Sequence, residues 1–117
     1  MFDEEVVQMI GEYGYVTTLN FLVYGQLELK DADMLSVGLI PKMMLICEEQ
    51  APFILLVNYI DEDNARMMGG YQGTKVSFIF GGQVPHPEEL SKHIGEGIDF
   101  LRFKFDYLGV GKWEHGV

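Results

Sequence analysis

Residues 15–24 read YVTTLNFLVY, and the fold turns on whether they form a strand or a helix. The run is rich in β-branched and aromatic residues, which fit a pleated, half-buried surface. As a strand it places Tyr15, Thr17, Leu19, Phe21 and Val23 on one face. A helix is the rival, because Leu19, Leu22, Val23 and Leu27 also fit a 3.6-residue period. The β-branched and aromatic content favours the strand. Gly25 allows a bulge or bend after it, beyond which Leu27 and Leu29 continue the odd-numbered face.

Working outward, residues 3–12 (DEEVVQMIGE) predict a short helix. Val6, Val7 and Ile10 share one face, and Asp3, Glu4 and Glu5 sit where the helix dipole favours anions. Gly11 and Gly14 end it. Residues 30–42 read as a connection with one helical turn after Asp31. The apolar runs MMLIC (43–47) and FILLVNYI (53–60) do not alternate, so they predict two strands covered on both faces at the centre of a sheet, joined through EEQAP with Pro52 at the edge. TKVSFIF (74–80) is a further strand, and GGQVPHP (81–87) a loop. Residues 87–97 predict a short helix, with Pro87 at its start and glycines at its end.

LRFKFDY (101–107) alternates strictly. Leu101, Phe103, Phe105 and Tyr107 face one way, and Arg102, Lys104 and Asp106 the other, as in a strand half buried and half wet. The tail GVGKWEHGV is expected to be loose unless Trp113 docks. The sum is one α+β domain over 1–117. It has a mainly antiparallel sheet of about five strands, open or closed into a small barrel, and two or three short helices.

YIDEDNARMMGGYQG (59–73) gathers acids, an amide, an Arg and glycines into one run. A helix–loop–helix calcium loop begun at Asp61 would need an oxygen ligand, a glycine and a glutamate at its positions 5, 6 and 12. Those positions hold Ala65, Arg66 and Gln72. A phosphate loop fails too, because the order Gly69, Gly73, Thr74, Lys75 has the wrong spacing and a strand follows rather than a helix. The run reads instead as a short helix capped by Asp61, with Glu62 and Asp63 at its positive end, Met67 and Met68 packed on the sheet, and Gly69 or Gly70 ending it. VNYIDEDNARMMGG followed by GTKVSFIF resembles the β-barrel segment of membrane-fusion (periplasmic adaptor) proteins, where a strand, an acidic residue, a short helix, a glycine and a second strand succeed one another. The resemblance spans Pro41 to Phe80 and implies local geometry only. The anchor, lipoyl halves and long helical hairpin of that family have no counterpart here, so no function is carried over.

Eighteen acids against eight bases give a formal net charge of −10, which repels nucleic-acid phosphates and anionic membranes and attracts a basic protein. The same charge keeps a chain that is 48% apolar in solution. A single cysteine, Cys47, rules out an intrachain disulfide and fits a cytoplasmic setting. The acidic start MFDEEVV does not read as a secretion signal, and no apolar run is long enough to span a bilayer.

Catalytic constellations are sparse. Glu89, His93 and Glu96 share one face of the helix over 87–97, a weak metal-ligand stripe with no second cluster to complete it, so neither metal nor cofactor is expected. Cys47 sits in an apolar run and reads as a small core residue. Asp99 with Asp106, or Glu48 with Glu49, could pair as acid and base, but spacing alone does not bring them together. Neither a Ser-centred nucleophile elbow nor a dinucleotide fingerprint is present.

Seven Met and fifteen aromatics suggest more apolar surface than one small core hides. Tyr71, Arg102, Lys104, Tyr107 and Trp113 are the candidate binding residues. The expected function is non-enzymatic protein binding, as an inhibitor, an immunity-type or phage-encoded antagonist covering a basic partner surface. A self-associating homo-oligomeric structural protein is the first alternative. A small-ligand or enzymatic domain with Tyr24, Asn58, Tyr59 and His93 around one cavity is the second.

Overall fold

The computed structural model describes residues 4–47, 53–59 and 73–114. The short helix expected after Asp61, the EEQAP loop and the candidate Tyr71 lie outside the described residues.

In chain order the elements are α1 (Glu4–Tyr13), β1 (Tyr15–Tyr24), α2 (Leu29–Cys47), β2 (Phe53–Tyr59), β3 (Gly73–Gly81), α3 (Pro87–Phe100) and β4 (Lys104–Glu114). The four described strands form one antiparallel sheet in the order β2-β3-β1-β4. This is the expected α+β class, but the sheet is open, with β2 and β4 as its described ends. The barrel alternative is thereby corrected, and so is the count of about five strands.

Residues 15–24 are the strand, with β3 on one side of them and β4 on the other. Their odd-numbered residues Leu19, Phe21 and Val23 join Val76, Phe78 and Phe80 of β3 in the main core, under α2 and α3. On the opposite face Val16 and Ile79 pack with Val6, Met9 and Ile10 of α1. Both sides of β1 are therefore covered by helices, which is why its apolar residues do not simply alternate.

The largest correction concerns residues 29–47. They form one helix, not a connection followed by the strand MMLIC. Ala32, Leu35, Leu39 and Met43 recur at three- and four-residue spacing and are the buried face. Asp31 lies at the third helical position, and its Oδ2 accepts the Glu28 backbone N–H at 3.1 Å, the reach-back half of a capping box. Pro41 lies inside the helix on an exposed face, so its ring clears the core, and the helical bond its N–H would have given the Val37 carbonyl is lost on the solvent side. The stretch expected to resemble an adaptor barrel from Pro41 onward thus begins in a helix.

Several boundaries also move. α3 runs through Gly95 and Gly97 to Phe100, because both glycines are contact points and not stop signals. A Cβ at Gly97 would lie 3.0 Å from Leu35 Cδ2, so the bare backbone lets α3 approach α2. Leu101 and Arg102 form the turn after α3, with Arg102 at φ 68, so the strand predicted over 101–107 starts at Lys104. It then continues to Glu114, and Trp113 packs against the α1 cluster. The tail as far as Glu114 is a strand, with Trp113 docked. Between Asn20 and Phe21 the β1–β4 register slips by one, leaving Leu108 as the extra residue beside Gly109 at φ 99. This bulge switches which β4 residues face the α2/α3 side.

Candidate functional site

Three of the sequence candidates follow the last turn of α3 into β4. Arg102 and Lys104 are exposed there. Tyr107 is turned inward, its ring centroid 5.2 Å from that of Phe21, and among the described residues its hydroxyl has no hydrogen-bond partner. Trp113 is likewise committed to packing. Arg102 and Lys104 therefore remain available at the surface, whereas Tyr107 and Trp113 serve the fold.

The polar set Tyr24, Asn58, Tyr59 and His93 does not converge. Tyr24 and Asn58 fall on the α1 side of the sheet and Tyr59 on the other, by the β1–β3 and β2–β3 registers. The Tyr24 hydroxyl donates to Asp106, and the Tyr59 hydroxyl donates to the Leu27 carbonyl at 2.8 Å. Asp99 and Asp106 do line one wide depression, together with Tyr24, Phe103, Lys104 and Phe105, but both carboxylates are exposed.

Glu89, His93 and Glu96 do not form a ligand set. Among the described residues no three His, Cys, Asp or Glu side chains come together as a metal site. His93 Nδ1 lies 3.5 Å from Glu96 Oε2, a contact without hydrogen-bond geometry. Cys47 ends α2, partly buried, and its thiol meets the Pro85 carbonyl at 3.4 Å.

The feature that sequence reasoning missed is the outside of α2. Met34, Val37, Met44 and Leu45 are all exposed, as are Gly38 and Pro41 between them. At 100° per residue these six positions fall on one stripe, opposite Ala32, Leu35, Leu39 and Met43. The helix is apolar inside and outside at once. Beside the stripe runs a groove of about 360 Å³ between α2 and α3. Met34, Gly38, Leu39, Ile94 and Phe100 supply its apolar walls, and Lys42, His93 and Glu96 also line it. Phe100, at the end of α3, is 79% exposed and extends the apolar surface across the groove. A sequence signal for the stripe existed in Met34, Val37, Gly38, Pro41 and Leu45, but it becomes a face only once 29–47 is one helix.

Among the described residues no helix is long and apolar enough to cross a membrane, so the stripe is not a spanning segment. No known protein family, curated protein or solved structure matches the chain.

Proposed function

We propose that this protein is a non-enzymatic protein-binding module that works through the outer stripe of α2 and the groove beside Phe100. The observation that carries this reading is the exposure of the apolar side chains there, from 49% at Met44 to 79% at Phe100. Contiguous apolar surface of this kind marks interaction sites, whereas scattered single residues do not. The net charge of −10 adds a preference for a basic partner, the setting of an inhibitor or immunity-type antagonist in the cytoplasm. The stripe itself supports association through apolar contact.

Affinity capture from the native cell tests this with the full chain and its Val37→Glu variant. Proteins held through the stripe are retained by the former and lost by the latter, while an Arg102→Gln control keeps them. Equal retention by all three would remove the stripe from the function. A salt series separates the two partner types. Capture of a basic partner weakens as salt rises over the range where the screening length shortens, and apolar capture holds.

A second reading has its own observation. The groove's volume of about 360 Å³ and its largely apolar walls fall within the range of small-ligand pockets. A saturable thermal shift with one class of apolar metabolite, abolished by Gly38→Trp, would favour it.

A further inference from the structure

We infer that the occupant of the α2 stripe is a second copy of this chain, docked helix to helix in an antiparallel pair about a two-fold axis between Gly38 and Pro41. The inference rests on the protein-binding reading above and names the occupant of the apolar stripe, as distinct from any basic partner of the acidic surface.

Three features of α2 and its surroundings point to a second copy. The first is the pattern of the stripe. Met34, Gly38, Pro41 and Leu45 read large, small, small, large with spacings of four, three and four. That order is nearly the same from either end. A two-fold between Gly38 and Pro41 sets Met34 against Leu45 of the other copy at both ends and lets the small residues meet in the middle. Val37 and Met44 lie on one flank of the stripe, and a two-fold keeps each flank against its own kind, so Val37 meets Met44 across the axis. The small centre lets the helix axes approach to the near end of the ~8–10 Å usual for packed helices.

The second is charge. The chain carries −10 overall, which disfavours bringing two copies together on most faces. α2 is an exception. Its ionisable residues are Lys30, Asp31, Asp33 and Lys42, two of each sign, so this helix meets its copy without net repulsion.

The third is area. Met34, Val37, Met44, Leu45 and Phe100 together offer roughly 600 Å² of exposed apolar surface, given the ~150–250 Å² of an aromatic side chain and somewhat less for the others. Two copies would remove at most about 1,200 Å² from water, the lower bound of a specific standard-size interface. The pair is thus expected to be reversible.

Light scattering on the purified full chain, from about 1 to about 100 µM, reads the outcome. The expected mass rises with concentration to twice the 13.3 kDa of one chain. Val37→Glu and, separately, Leu45→Glu weaken the dimer by about 100-fold, as an unpaired charge covered by an apolar contact does. Both residues are exposed in the single chain, so circular dichroism should show the fold retained, and either variant suffices if the other fails to fold. Cross-linking reads the geometry in a Cys47→Ser background. A mixture of Met34→Cys and Leu45→Cys chains forms a disulfide dimer under mild oxidation. Met34→Cys alone does not, because the two sulfurs would stand about 16 Å apart along the helices.

A dimer that survives both glutamate variants, or equal cross-linking of Met34→Cys with itself, overturns the inference. A wild-type chain that stays monomeric throughout also overturns it. That last result leaves the binding reading intact if the native cell yields a different protein whose capture is lost with Val37→Glu.

Discussion

A Cβ placed on Gly95 of α3 would lie 2.7 Å from Phe105 Cζ of β4, closer than real side chains approach. Gly95 and Phe105 are therefore one contact. The helix lies against the edge strand because it has no side chain at that turn, and the Phe105 ring fills the space while meeting Phe21 at 6.0 Å between centroids. Gly95→Ala overpacks a closed site, and such insertions cost about 1–3 kcal/mol. Alanine's better helix propensity returns up to ~1 kcal/mol, so the net loss sits at the lower end of that range. Urea unfolding should show the midpoint fall for Gly95→Ala and part of the fall recovered in Gly95→Ala with Phe105→Leu. A midpoint that rises in the single variant would mean that the contact does not limit the approach of α3.

Asn20 links three strands through its amide. Its Nδ2 donates to Thr18 Oγ1 at 3.0 Å and to the Gly109 carbonyl at 3.2 Å, and its Oδ1 accepts from Ser77 Oγ at 2.9 Å. The Gly109 bond fastens β4 at the bulge, where the ladder to β1 slips. Thr18 and Ser77 are buried, so removing the amide leaves hydroxyls and a carbonyl without partners. Asn20→Leu is expected to cost about 1–3 kcal/mol, the desolvation penalty of the orphaned groups. Amide hydrogen exchange should quicken first along β4. In Asn20→Leu with Ser77→Ala, the losses should fall short of additive by about 0.5 kcal/mol or more. Strict additivity would show that the two side chains act independently.

The sheet was readable where local chemistry and burial agree. Residues 15–24 and 74–80 hold β-branched and aromatic residues and became β1 and β3 with ends within a residue of those expected. The region from 29 to 47 was not readable, because the period that betrays an amphipathic helix vanishes when Met34, Val37 and Leu45 outside match Leu35, Leu39 and Met43 inside. Pro41 then looked like a break, and Met43 to Cys47 like a buried strand. β4 beyond Tyr107 was hidden by Gly109 and Gly111, residue types that strands usually avoid. Their reasons are tertiary: one sits in the bulge, and a Cβ on the other would stand 2.5 Å from Thr18 Oγ1. The exposed apolar surface proposed above for binding is reflected in composition, through Met and aromatic abundance, but composition does not give its place. Tyr107 and Trp113 of β4 pack partly buried against the core clusters, and the exposed stripe lies on a helix where the sequence predicts a connection and a strand.

Pro41 gives a test of how much α2 tolerates. Its position removes the backbone bond that residue 41 would donate to the Val37 carbonyl, and proline is ~3 kcal/mol poorer than alanine in a helix interior. The side chain is exposed in the single chain, so its loss takes little packing with it. Pro41→Ala is therefore expected to stabilise the fold by about 1–3 kcal/mol, a rise of several degrees in the melting temperature for a domain this size. Calorimetry at a concentration low enough to keep the chain monomeric isolates this effect from any change at the α2 contact. A lower melting temperature would mean that the ring contributes packing within the single chain that outweighs the restored hydrogen bond.

At the far end of β4, Lys112 Nζ lies 2.7 Å from Glu114 Oε1 and 4.5 Å from the centre of the Tyr15 ring. The hydrogen bond to Glu114 raises the Lys112 pKa above its ordinary 10.5, the carboxylate's charge adds to this, and burial opposes it. A raised pKa in the folded state means that the ammonium is held more tightly there than in the unfolded chain. The stabilisation is thus fully present below the unfolded value and is lost as pH rises through the folded one, which places the window above about 10.5. The pair is exposed to solvent, so its contribution to stability is small and falls with salt. Glu114→Gln keeps a hydrogen-bond acceptor but removes the charge. NMR titration of the Lys112 Cε resonance should therefore show its pKa move down toward 10.5 and the alkaline loss of stability shrink. An unchanged Lys112 titration in Glu114→Gln would show that the carboxylate does not hold the ammonium in solution.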